Sequence, residues 1–170
     1  MTTVPSLPTY YVGQKLTATN LNDIAEAIHF GQWAYVARVK RSAALSVSSA
    51  TTYTAVEFDL EDYDAQTWHS TVTNSHAIIP KIAGFYRVDA NAGWAGASGG
   101  YRTLQLLWSN TTAIAYDQVE PAGTEPLYQS VSAFWYANGT SDYFSCDVRQ
   151  NSGGAVDLVN CWLSVQWIGK

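Results

Sequence analysis

The stretch Tyr86-Arg-Val-Asp-Ala-Asn-Ala-Gly-Trp94 alternates without a break, with Tyr86, Val88, Ala90, Ala92 and Trp94 on one side. Successive side chains of a β-strand point to opposite faces, so this pattern describes a strand lying half-buried on a core. The same period recurs along the chain. Val56, Phe58 and Leu60 oppose Glu57, Asp59 and Glu61. Leu104, Leu106 and Trp108 repeat the pattern, as do Phe144, Cys146 and Val148, and Val159, Cys161, Leu163, Val165 and Trp167 close the sequence in the same way. Turn-forming runs separate these segments: Ser98-Gly-Gly, Asn138-Gly and Asn151-Ser-Gly-Gly. No helical period lies between them, which excludes a parallel α/β sheet. The expectation is an all-β antiparallel sandwich.

Upstream the period changes. Met1 to Tyr11 hold Pro5 and Pro8 and no repeat, which reads as an extended arm. Leu21, Ile24, Ala25 and Ile28 then recur at helical spacing, with Asn20 as the expected N-cap, Asp23 in the first turn and Gly31 as the stop. A helix of only about ten residues is marginal alone, so its stripe must pack on something. The division read from this change is residues 1–33 as arm and helix and residues 34–170 as the β domain.

One strand departs from simple alternation. In Val131-Ser-Ala-Phe-Trp-Tyr-Ala137, Val131, Ala133 and Trp135 oppose Phe134 and Tyr136, so both sides are apolar. A strand apolar on both faces wants burial on both. A two-sheet sandwich covers one face, and the other requires a loop or a second subunit. The reading favoured is a second subunit, with Val131, Ala133, Phe134, Trp135 and Tyr136 as the interface. Seven Trp, eleven Tyr and five Phe agree with more burial than one core needs.

Composition excludes several classes. Apolar residues make up 47% and charged residues 14%, which is not a disordered chain. A net charge of −5 argues against nucleic acid, and the basic group Arg38, Lys40 and Arg41 reads as a solvated strand face. No run of roughly 18 apolar residues is present to span a bilayer. The opening residues carry no secretory pattern, so folding in a cytoplasm is expected, with Cys146 and Cys161 buried and reduced.

Catalytic and metal chemistry find little support. His29, His69 and His76 show no ligand spacing. Glu57, Asp59, Glu61, Asp62 and Asp64 invite a calcium site or a glycosidase pair, but EF-hand spacing is absent and three of them share one face. They read as solvated strand charges. No nucleophile elbow, phosphate-binding glycine loop or Cys–His pair occurs. The expectation is a non-enzyme without cofactor or metal.

Several segments carry a resemblance. They are Phe58 with the acidic stretch to Asp64, Ile79-Pro-Lys-Ile-Ala-Gly-Phe-Tyr86, the strand to Trp94, Arg102 to Ala115, Asn138-Gly-Thr-Ser-Asp142, Val148 to Gly153, and Leu163 to Gly169. In this order they resemble the globular-head jelly roll of complement-type and tumour-necrosis-factor-like trimers, versions of which occur on phage particles. Val12-Gly-Gln-Lys-Leu-Thr-Ala-Thr-Asn-Leu-Asn22 is similar to the start of many phage tail and virion-surface proteins. The resemblance implies a homotrimeric structural head of a virion, assembled in the host cytoplasm. Leu21, Ile24 and Ile28 would attach it to other virion proteins, of capsid or tail. An alternative is a receptor- or carbohydrate-binding head of a tail fibre, with Trp68 or Tyr128 stacking on a host-surface glycan.

Overall fold

The computed structural model of the chain describes residues 9, 15, 17–32 and 35–170, the helix over 26–32 by its backbone alone. Most of the expected arm, Met1 to Tyr11, lies outside the described residues, as does the side chain of Ile28. The helix α1 runs Ala18–Gln32. Thr17, not Asn20, caps it. Asn20 N–H donates to Thr17 Oγ1 at 3.2 Å while Thr17 N–H donates to Asn20 Oδ1 at 3.2 Å. Asn20 thus fills the third-residue role of a capping box, which moves the start one turn upstream. Gly31 does not stop the helix, which includes it.

Eleven strands follow among the described residues: β1 Val36–Lys40, β2 Leu45–Val47, β3 Thr54–Ala55, β4 Leu60–Asp64, β5 Ala77–Ile78, β6 Gly84–Trp94, β7 Arg102–Trp108, β8 Thr112–Val119, β9 Leu127–Ala137, β10 Phe144–Gln150 and β11 Val156–Gly169. They form two antiparallel sheets, a jelly-roll sandwich. The first has the order β4-β1-β11-β6-β9, with β2 also on β11. The second has the order β3-β10-β7-β8, with β5 also on β10.

Alternation places the core as expected on β6, where Tyr86, Val88, Ala90, Ala92 and Trp94 are all buried. Val39, Leu163 and Val165 join them from the first sheet, and Leu104, Leu106, Phe144 and Val148 from the second. Cys146 and Cys161 face each other across the two sheets, buried and unbridged, with Sγ atoms 3.8 Å apart. The hydrogen bond to Cys161, and then burial, push the Cys146 thiol well above its ordinary range.

Two expected inward positions turn out exposed. Leu60 is one, because residues 54–60 are not one strand. Val56 N–H bonds the Cys146 carbonyl on β10, whereas Asp59 N–H bonds the Lys40 carbonyl on β1. The chain crosses from one sheet to the other there, and Val56 and Phe58 plug the gap. Val159 is the second. A bulge lies between Leu158 and Asn160 in the β11–β6 ladder, so the inward positions run Val156, Leu158 and then Cys161. One extra residue reverses the facing of all that precede it.

Gly84 explains why β6 can start beside the end of β11. Its φ is 154°, and a Cβ there would lie 2.4 Å from the Gly169 carbonyl oxygen. Only glycine permits that approach.

Candidate self-association face

Antiparallel pairing of β6 with β9 sets Phe85 opposite Tyr136 and Arg87 opposite Phe134. These residues occupy the outer face of the first sheet, since Tyr86, Val88 and Val131 take the inner one. Phe85 and Tyr136 meet edge to face, with ring centroids 5.5 Å apart. On the other side of β6, the ladder to β11 pairs Arg87 with Gln166 and Phe85 with Gly169, and adds Ile168 to the same end. Phe134 is 65% exposed, and Phe85, Tyr136 and Ile168 are each 49% exposed. Four large apolar side chains therefore stand in solvent at one corner of a sheet whose other face is fully packed. Arg87 sits among them and is neutralised by Asp89 at 3.0 Å. An apolar patch whose one charge is already paired has the make-up of an interface core.

The five residues expected at an interface divide between the two faces of β9. Val131 is buried within the subunit. Ala133 and Trp135 pack against its core, Trp135 lying 6.2 Å from Trp108. Phe134 and Tyr136 alone among the five face outward. Phe85 and Ile168 were not singled out from the sequence, although two adjacent aromatics at Phe85-Tyr86 put one ring on each side of β6. Of the helix stripe, Leu21 is 53% exposed and Ile24 is partly covered.

Of the residues expected to stack on sugar, Trp68 does not fit: it is buried, stacked with Tyr35 and edge-on to Tyr86. Tyr128 is exposed on β9.

The acidic run is more engaged than a solvated face would be. Asp59 accepts from Ser42 N–H at 2.7 Å and from Ser42 Oγ at 2.5 Å, and those bonds lower its carboxyl below the ordinary range. Asp62 pairs with Arg38 and Lys40, and Arg38 also covers Trp162 at 4.4 Å. Asp64 accepts from the backbone N–H of Trp68 and of His69. His69, with a fully buried side chain, lies between Glu61 at 2.9 Å and the Ser75 carbonyl at 3.0 Å. Glu61 and Asp64 thus pin the loop over residues 65–76 to β4, while Asp59 and Asp62 bond residues 38–42. Among the described residues no group of three or more His, Cys, Asp and Glu is gathered to hold a metal ion.

Asp147 on β10 is different. It is half-buried, its Oδ1 has no partner, and desolvation raises its carboxyl above the ordinary range against the opposing pulls of His76 and of a hydrogen bond from Gln105. A raised carboxyl favours the protonated folded state. It adds stability below the unfolded value near 3.8 and loses that contribution as pH rises through the folded value. Asp147→Asn should therefore raise folding stability at neutral pH by on the order of 1 kcal/mol, and the melting temperature with it, with the gain vanishing in acid. Thermal melts of both proteins across pH check this.

No family model matches this chain, and no curated protein matches it in sequence. Solved structures do match in fold. The globular domain of zebrafish complement 1qA superposes with a TM-score of 0.65 at 14% identity, covering 81% of this chain and 99% of that one. The Eiger tumour necrosis factor from S. frugiperda gives 0.59 at 15% identity, covering 80% and 93%. The PRD1 vertex protein P5 gives 0.58 at 15% identity, covering 80% and 74%. At such identities the likeness is one of fold.

Proposed function

We propose that this chain is a non-enzymatic structural head of a phage particle, trimeric through the outer corner of its first sheet and tethered by residues 1–33. The observation that carries the reading is the cluster Phe85, Phe134, Tyr136 and Ile168, exposed together at one end of the first sheet. Burying one such side chain is worth roughly 1.5–3 kcal/mol, so leaving four in water is costly unless a partner covers them. A second copy is the partner that supplies matching apolar surface at equal concentration. The patch spans β11 and β6 and reaches the edge strand β9. Edge meeting face around a ring closes on itself without requiring the patch to be self-complementary. The complement-like sandwich supports the threefold arrangement, and the vertex protein of PRD1 supports a place on a virion.

The tether follows from organisation. The capped helix α1 presents Leu21 and Ile24 ahead of β1, and the sandwich closes its core from Tyr35 onward without them. Deleting residues 1–33 should leave the sandwich folded, with an unchanged β-sheet circular dichroism spectrum and melting temperature, and should remove the protein from purified particles. Incorporation of the truncated chain at normal copy number would refute the tether. Density for the full chain on particles tests the virion assignment itself.

A further inference from the structure

At the second sheet, three parts of the chain line a half-open cavity of about 210 Å³. Asn74, His76, Ala77 and Ile79 come from the segment around β5, Asn110 from the tip joining β7 to β8, and Tyr143 from the entrance to β10. The lining is of two kinds. Ala77, Ile79 and the Tyr143 ring supply apolar surface. Asn74 and Asn110 supply carboxamides, and His76 an imidazole held edge-on to Tyr143 at 6.1 Å.

The two asparagines are fixed by backbone geometry. Their φ values are 53° and 60°, in the left-handed region that asparagine tolerates better than most residues. Ala77 N–H donates to the Asn74 carbonyl at 2.9 Å, and Ser145 Oγ donates to Asn110 Oδ1 at 3.4 Å. A carboxamide both donates and accepts, as a hydroxyl does. Two carboxamides beside an aromatic ring and aliphatic carbons match a pyranose, which has hydroxyls at its rim and a C–H face.

Charge narrows the class. The Glu57 carboxylate stands 3.9 Å from His76 Nδ1, and Asp147 interacts with the same imidazole, so negative charge already lies beside the pocket. That disfavours an acidic sugar. The volume lies beneath the roughly 300–1,000 Å³ of drug-sized sites, which limits the occupant to one ring.

We propose that this cavity binds a single neutral hexose or N-acetylhexosamine at the end of a glycan. The site needs no second copy of the chain and stands apart from the assembly reading.

Saturation-transfer NMR on the full chain, with the methyl glycosides of galactose, glucose, N-acetylglucosamine and sialic acid, tests it. The expected result is saturable millimolar binding of at least one neutral glycoside and none of sialic acid. Asn74→Gly with Asn110→Gly keeps the positive φ values while removing both amides, and should weaken binding at least about tenfold. Tyr143→Leu, a second variant that leaves both asparagines in place, should do the same if the glycine pair fails to fold. Absence of binding by every neutral probe overturns the proposal. So does sialic acid binding as tightly as the neutral sugars, or unchanged affinity in a folded variant. Light scattering on the same samples reads assembly separately, so the two ideas fail independently.

Discussion

Phe134→Asp is expected to yield a folded monomer. Phe134 is 65% exposed in the single subunit, so its replacement removes little of that subunit's own packing. Surface substitutions of this kind usually change subunit stability by less than about 0.5 kcal/mol. In the assembled form the same change is repeated at every interface. Each loses roughly 1.5–3 kcal/mol of aromatic burial, and each must accept an unpaired carboxylate against apolar surface, which costs more again. Multi-angle light scattering at micromolar concentration should give the trimer mass for the parent chain and the monomer mass for the variant. A parent chain that is already monomeric refutes assembly. A parent dimer refutes the threefold arrangement. An unchanged mass in both Phe134→Asp and Tyr136→Asp places the interface elsewhere.

Trp94→Ala should cost about 3–5 kcal/mol of folding stability, the largest loss expected from any single side chain here. Trp94 is fully buried, and its Nε1–H donates to Gln129 Oε1 at 2.9 Å. Gln129 in turn donates through Nε2 to the carbonyls of Arg102 at 3.2 Å and Asp117 at 3.0 Å. The Arg102 guanidinium, itself buried, lies 5.9 Å from the Trp94 ring and donates to the carbonyls of Ala97, Gly99 and Tyr101. Burial lowers the Arg102 pKa. Its charge is met by dipoles and a ring face with no carboxylate among these contacts. Alanine at 94 would therefore leave a cavity, an orphaned acceptor and an uncovered cation together. Trp94→Phe keeps a ring beside Arg102 and should cost much less, chiefly the lost donor and part of the volume. Urea denaturation of both variants separates these contributions. A loss below about 1 kcal/mol for the alanine variant would show that the buried network carries no weight.

The sandwich was legible because burial enforces alternation, and β6 shows this residue by residue from Tyr86 to Trp94. Reading failed where the backbone leaves the pleat. The crossing between sheets at Val56–Leu60 looks like one alternating strand, since a plug residue and a strand residue obey the same spacing over a few positions. The bulge at Val159 inserts one residue that no local propensity announces. Trp68 lies on a loop, but that loop folds over Tyr86 and buries the ring. The outer corner was half visible. Phe134 and Tyr136 stood out against their own strand, whereas Phe85 and Ile168 join them only through the lateral register of β6 with β9 and β11. The glycan cavity was invisible for the same reason, since Asn74, Asn110 and Tyr143 meet only in the folded chain.

The facing thiols have a bearing on how any variant of this protein is compared with its parent. Cys146 and Cys161 enclose a short loop, and their sulfurs are already neighbours across the sandwich. Oxidation by air or by a small-molecule disulfide would add a covalent tie worth about 3 kcal/mol by the loop-closure argument. That reaches the lower end of the loss expected for a deleted core tryptophan and exceeds every surface change. Two preparations differing only by a pair of hydrogens could then differ more in melting than two different sequences. Intact-mass spectrometry and thiol titration of each sample are what make its melting curve comparable with the next.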